Sequence, residues 1–316
     1  HGAAWFCGHC LRRETSPARS MRFREGDHVL VPDREHAYLP ATVVQLTEAG
    51  LDVRLVDGST HTLAAAAASQ VVLADPLALQ GSDDMVRFNL LTEASIVHNL
   101  RVRYEREAIY TAVGPILISV NPLRRLERLV GPDVAQRYAD AADGAALSAL
   151  PPHPYAQVEA AYREVLSQGC NQSLVVSGES GAGKTELTKI CLRFLVGRAH
   201  MGDAGGGGGG AAGVGGATGG AGASGRSGEA GSSVADRLVA SNPLLEAFGN
   251  ASTCRNRNSS RFGKWLRVML RPSGVVHSAE LRTFLLEKAR VTSQLRGERN
   301  FHILHQLAAA AAAAAA

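Results

Sequence analysis

Apolar positions follow two rhythms along this chain, short and β-branched at first, helical further on. Residues 28–31, 41–46, 51–56 and 60–63 are brief apolar runs. Turn signals separate them at Pro32-Asp33, Glu48-Ala49-Gly50 and Asp57-Gly58-Ser59. Strands at that spacing predict a small SH3-like β-barrel over residues 22–75, which either packs on the next domain or binds a partner of its own. From Asp83 the texture becomes α/β. Residues 90–104 have helical periodicity. Residues 115–120 form an apolar run that stops at Asn121-Pro122, which predicts a buried strand followed by a loop. Residues 133–148 predict a helix with a weak end, residues 157–166 another helix, and residues 173–177 a second buried strand. Leu187, Ile190, Cys191, Phe194 and Leu195 recur on one helical face. A helical pattern runs from 234 to 248. Strands are expected over 264–270 and 275–286, around a turn at Pro272-Ser273-Gly274.

Composition narrows the possibilities. Residues 202–231 hold 16 of the 34 glycines. Glycine brings a large ordering entropy and no side chain to bury, so this stretch predicts a flexible insertion loop. A formal charge of +4 is too weak to make nucleic acid the main partner. No apolar run is long and varied enough to span a membrane, the longest being the alanines of 308–316. The cysteines are Cys7, Cys10, Cys170, Cys191 and Cys254. An odd, sparse set does not predict a disulfide framework and points to a reducing cytoplasm. Cys7-Gly-His-Cys10 is half of a zinc site without a second pair at finger spacing, so residues 1–21 are expected to be a disordered leader. The chain opens on His1 with no signal-peptide pattern, which suggests part of a longer protein.

Two polar segments carry candidate chemistry. Gly178-Glu179-Ser180-Gly181-Ala182-Gly183-Lys184-Thr185 fits the phosphate-binding pattern GxxxxGK[ST]. Its glycines let backbone N–H groups turn onto a phosphate chain, Lys184 reaches the β- and γ-phosphates, and the Thr185 hydroxyl is the expected Mg²⁺ ligand. A strand precedes it and an amphipathic helix follows, the order that a P-loop NTPase core requires. The second segment is Asn256-Arg257-Asn258-Ser259-Ser260-Arg261-Phe262-Gly263-Lys264. Its hydroxyls, amides and cations suit Mg²⁺ ligation, phosphate binding and placement of a water. Alone, it could equally be a solvated basic face.

The segments 178–186 and 256–264 resemble the P-loop and switch I of the myosin motor domain. Further blocks are similar in the same order: Leu91-Thr92-Glu93-Ala94-Ser95, residues 114–122, Asn242-Pro243-Leu244-Leu245-Glu246-Ala247-Phe248-Gly249-Asn250-Ala251, Leu286-Glu287-Lys288-Ala289-Arg290-Val291 and Glu298-Arg299-Asn300-Phe301-His302-Ile303. Kinesins share the core, but their switch I ends in Ser-Ser-Arg-Ser-His, where this chain has Ser259-Ser260-Arg261-Phe262-Gly263-Lys264.

The resemblance implies a P-loop NTPase core, a mixed sheet flanked by helices and incomplete here, over residues 83–307. It implies ATP and Mg²⁺ as cofactors. Asn121 and Pro122 would border the base, and Gly178, Glu179, Ser180, Gly181, Ala182, Gly183, Lys184 and Thr185 would wrap the phosphates. Thr185 and Ser260 would hold Mg²⁺, with Ser259 beside the γ-phosphate and lytic water and Asn256 giving a phosphate-side amide. Arg261 would pair with a glutamate of switch II. Leu129, Leu187 and Arg257 stand where the family usually has tyrosine, asparagine and asparagine. No segment of the switch II form Asp-Ile-x-Gly-Phe-Glu occurs. The expected function is the ATP-binding part of an actin-based, cytoskeleton-associated motor. Actin filaments and light chains or calmodulin would be partners of the complete protein through regions not in this chain. The alternative is a nucleotide-binding module without motor activity, with Arg261 lacking its glutamate.

Overall fold

One-sided burial organises the first strands. A computed structural model describes residues 23–47, 50–201, 237 and 240–315. Cys7, Cys10 and the glycine-rich stretch 202–231 lie outside the described residues. Two compact units divide at Ala108/Ile109. In the first, β1 (His28–Asp33), β2 (Ala37–Thr47), β3 (Gly50–Leu55), β4 (Thr60–Ala64) and β5 (Val72–Leu73) form one antiparallel sheet in the order β4-β3-β2-β1-β5. Val29, Ala41, Val43, Leu51, Val53 and Val71 close on one another as its core. Ala41 and Val43, then Leu51 and Val53, sit two residues apart, as the pleat demands for side chains sharing a face. A four-residue helical turn α1 (Ala65–Ala68) leads into β5, and α2 (Pro76–Gln80) and α3 (Glu93–Glu105) follow. The buried Asp75 carboxylate accepts from the Leu77 N–H at 2.9 Å and the Asn89 N–H at 2.7 Å, so it caps α2 and ties down the next loop.

The second unit opens with a hairpin of β6 (Tyr110–Val113) and β7 (Ile116–Ser119). Helices α4 (Glu127–Val130), α5 (Pro132–Ala139), α6 (Gly144–Ser148), α7 (Pro154–Gln168) and α8 (Lys184–Met201) come next. Then α9 (Asn242–Gly249) runs into β8 (Asn250–Ala251), which pairs with β9 (Ser259–Ser260). The hairpin of β10 (Gly263–Leu270) and β11 (Val276–Phe284) and a last helix α10 (His302–Ala314) complete it. Alanine, the strongest helix former, carries α10 through the low-complexity end.

The core of this unit gathers Tyr138, Leu147, Tyr155, Val158 and Phe194, with Ile190, Cys191 and Leu195 against it. The apolar face foreseen for 187–195 is therefore the face that seats α8. Phe194 stacks on Tyr155 at 4.5 Å between ring centroids. Glu159, fully buried on α7, receives Arg163 Nε at 2.7 Å and Arg198 Nε at 3.0 Å, which clamps α8 a second time. His153 caps α7 by accepting the Tyr155 N–H on Nδ1 at 3.1 Å and stacks on Tyr138. Burial pushes the His153 imidazole down to about 4. Burial likewise pushes the Cys191 thiol up to about 11.

Several expectations change. The 133–148 helix is two helices, because Asp143 caps a new one by accepting the Ala146 N–H at 2.8 Å. The 115–120 strand exists but is not buried: Ile116 is exposed and only β6 flanks it. Residues 173–177 form no strand, and Val175 is 89% exposed. A strand is held by the hydrogen bonds of its neighbours, and none of the described strands lies beside this segment. All described strand pairs are antiparallel, so the expected mixed sheet is not assembled among these residues.

Two outcomes follow for stability. The His153 pKa is depressed, so the unfolded chain binds a proton that the folded chain refuses between the ordinary histidine value and about 4. Stability then falls as pH drops through that window, by about 2 kcal/mol from pH 7 to pH 5 for this group. Urea unfolding at the two pH values, compared with His153→Asn, reads this as a shallower pH slope in the variant. Glu159→Ala strands two guanidinium groups and is expected to cost about 3 kcal/mol in the same assay, with Glu159→Gln milder.

Candidate functional site

Seating α8 fixes where its first turn points the preceding loop. Gly181 and Gly183 have φ of 90° and 91°, left-handed backbone that other residues enter only with strain. Ala182 N–H donates to the Glu179 carbonyl at 3.2 Å, and Leu187 N–H makes a helical bond to Gly183 O at 2.9 Å. The N–H groups of Lys184, Thr185 and Glu186 thus head the helix, where no carbonyl of the same helix can reach them and the dipole favours an anion. Lys184 Nζ donates to the carbonyls of Gly178 at 2.6 Å and Glu179 at 2.8 Å. Thr185 is half-buried in the first turn.

The polar segment at 252–260 is a hairpin loop. Ser259 and Ser260 pair with Ala251 and Asn250. Thr253 and Asn256 close the turn: Thr253 N–H donates to Asn256 O at 2.9 Å, and Asn256 N–H to Thr253 Oγ1 at 3.1 Å. Asn256 Oδ1 then accepts the Asn258 N–H at 2.9 Å. Side chain and backbone together stiffen a loop that has little apolar surface of its own.

The two loops meet. Ser180 Oγ and Ser259 Oγ lie 2.7 Å apart, with Ser259 only 1% exposed. Arg255 faces Glu179 at 3.3 Å, an exposed pair of small energetic weight. Asn121 Nδ2 donates to Gly181 O at 2.8 Å, while its Oδ1 accepts the Leu123 N–H at 2.9 Å. Hydrogen bonds therefore join Asn121 to Gly181 and Ser180 to Ser259, and Pro122 follows Asn121 in the same turn. Thr185 and Ser260 are not joined by a hydrogen bond among the described residues.

Arg261 is not left without a carboxylate. Its Nε donates to Glu287 at 2.5 Å and its Nη1 to Ser259 Oγ at 3.2 Å. The expectation of an unpaired Arg261 is thus wrong, because the chain supplies Glu287 from just beyond β11. The two guanidinium groups beside it, Arg261 first and then Arg290, hold the Glu287 carboxyl below its ordinary value. Asn258 was also missed. It accepts from Asn250 Nδ2 at 2.9 Å and donates to Glu246 at 3.2 Å, and His302 Nε2 lies 3.1 Å from its Oδ1. Its position inside the Asn256–Arg257–Asn258 run was the available signal.

No group of three or more His, Cys, Asp or Glu side chains that could hold a metal occurs among the described residues. A metal here would rest on hydroxyl oxygens and on oxygens of its ligand. No helix among the described residues is long and apolar enough to cross a membrane.

Residues 82–316 match the family model described as myosin head (motor domain). Myosin-8 of Arabidopsis thaliana is 39% identical over 293 residues, covering 90% of this chain and 17% of that protein. Myosin-6 of Arabidopsis thaliana is 39% identical over 285 residues, 90% of this chain and 17% of that protein. Myosin-J heavy chain of Dictyostelium discoideum is 37% identical over 290 residues, again 90% of this chain but 13% of that protein. This chain therefore spans a small part of the length of the curated relatives it matches. With the family model matched over most of its length, the chain belongs to the myosin head (motor domain) family.

Proposed function

We propose that residues 109–315 hold Mg²⁺·ATP through a P-loop and switch I, as the nucleotide-binding part of an actin-based motor. The observation that carries this is the 2.7 Å approach of Ser180 and Ser259, which brings the glycine-rich loop and the polar hairpin to one place at the head of α8. Gly178, Glu179, Ser180, Gly181, Ala182 and Gly183 shape the cradle, with Gly181 and Gly183 in conformations that admit a phosphate chain. Lys184, whose Nζ satisfies two loop carbonyls, exchanges them for phosphate oxygens. Asn121 and Pro122 border the base.

The donor set fits Mg²⁺, a hard cation that takes oxygen ligands and keeps several waters. Thr185 and Ser260 would supply the hydroxyls, with phosphate oxygens and water completing the shell, and the bound ion would neutralise charge on the phosphates. Ser259 and Asn256 place the water side of the γ-phosphate, and Arg261 holds Ser259. The reaction in the longer protein is phosphoryl transfer to water, driven by positioning and charge stabilisation and coupled to movement on actin filaments. Light chains or calmodulin and a place in the actin cytoskeleton belong to that longer protein. The five-stranded order β4-β3-β2-β1-β5 supports reading the first unit as an SH3-like module.

Lys184→Ala is expected to weaken binding of a fluorescent ATP analogue by on the order of 100-fold, the loss of charge-assisted contacts. Unchanged affinity would place the site elsewhere. A second reading, binding without turnover, is favoured by one observation: no Asp-Ile-x-Gly-Phe-Glu segment occurs in the chain. The 316-residue chain is accordingly expected to release phosphate from ATP at background rate with or without actin filaments. Actin-stimulated release in a steady-state assay would refute that.

A further inference from the structure

Glu287 grips one residue at two points. Its N–H donates to the Arg261 carbonyl at 3.0 Å, and its Oε2 accepts Arg261 Nε at 2.5 Å. The same oxygen accepts Arg290 Nε at 2.7 Å. Arg290 is 3% exposed and is itself fixed, donating through Nη1 to Arg299 O at 3.0 Å and through Nη2 to Glu298 at 2.7 Å. An arginine side chain samples many rotamers when free. Held along its Nε edge, Arg261 has one direction left for Nη1, toward Ser259 Oγ at 3.2 Å. Ser259 in turn sits 2.7 Å from Ser180 in the glycine-rich loop. A continuous hydrogen-bonded line thus runs from the buried Arg290 to the loop that would carry the phosphates.

We propose that Glu287 is a positioning residue for recognition of the terminal phosphate, acting through Arg261 on Ser259. The inference rests on the nucleotide reading of this site. It goes beyond that reading by assigning the ATP-over-ADP preference to a carboxylate outside both loops. Charge is essential to the role. A neutral amide at 287 keeps one acceptor oxygen but removes the negative charge between the two guanidinium groups, and turns its N–H₂ toward Arg290 Nη2, which donates to Oε1 at 3.3 Å, so Arg261 and Arg290 face each other without the charge that holds them. Arg261 then loses its fixed direction, and Ser259 its donor. On the nucleotide reading Ser259 stands on the terminal-phosphate side, so ADP is expected to be blind to the change.

The test measures affinity of the full chain for fluorescent ATP and ADP analogues in Glu287→Gln, Glu287→Asp, Arg261→Ala and the Gln/Ala double variant, with melting temperature recorded alongside. Glu287→Gln is expected to lower the ATP-over-ADP preference about tenfold with ADP affinity unchanged. Glu287→Asp, which keeps the charge and serves if the Gln variant does not fold, is expected to retain most of the preference. In the Arg261→Ala background the Gln change is expected to add nothing. The proposal falls if the preference survives in a folded Glu287→Gln chain, if ATP and ADP weaken alike, or if the two substitutions add in full. A wild-type chain that binds neither nucleotide overturns the nucleotide reading and this proposal together. A wild type that binds both, with an unchanged ratio in the Gln variant, overturns this proposal alone.

Discussion

The stacking of Phe194 on Tyr155 is the contact from which the rest of the site takes its position. It seats the middle of α8 on α7, and the Glu159 clamp on Arg198 seats it again one turn further on. With α8 held at two points, its head is fixed in direction. The glycine-rich loop that leads into that head can then meet only what is packed nearby, which is the hairpin around Ser259. The meeting involves polar groups alone, and their net hydrogen-bond energy is small in water. It is the apolar and ionic seating of α8, some ten residues away, that makes those weak contacts specific.

Charge is handled differently in the two halves of the unit. Glu159 is a buried carboxylate between two arginines, and its work is mechanical. Glu287 is likewise shared by two arginines, but it lies nearer the surface, and one of those arginines reaches on to Ser259. The same chemical motif therefore serves packing in one place and transmission of position in the other. What separates them is where the remaining donors go: Arg163 turns Nη2 to the Ala141 carbonyl at 2.6 Å, whereas Arg261 turns Nη1 to the Ser259 hydroxyl.

Legibility in the sequence followed the range of the forces involved. Strands β2 and β3 were readable because one face of each is buried, and burial on one face writes an alternation into neighbouring residues. The apolar face of α8 was readable for the same reason at helical spacing. The turns of the glycine-rich loop were readable because Gly181 and Gly183 take left-handed backbone that other residues enter only with strain. The break at Asp143 was present as a capping residue but hidden inside an alanine-rich helix pattern. The pairing of Arg261 with Glu287 was unreadable, since nothing local marks which carboxylate closes on which arginine. The 173–177 strand failed for the opposite reason: its apolar run is real, but a strand is a property of its neighbours.

That last segment has a consequence for how the chain behaves in solution. Leu174 and Val175 stand exposed in a short stretch of high β-propensity that joins no ladder. Backbone donors and acceptors in such a stretch offer a template on which the same stretch of a second molecule can add. Self-association of this chain through that stretch would then scale steeply with concentration and begin immediately upstream of the glycine-rich loop.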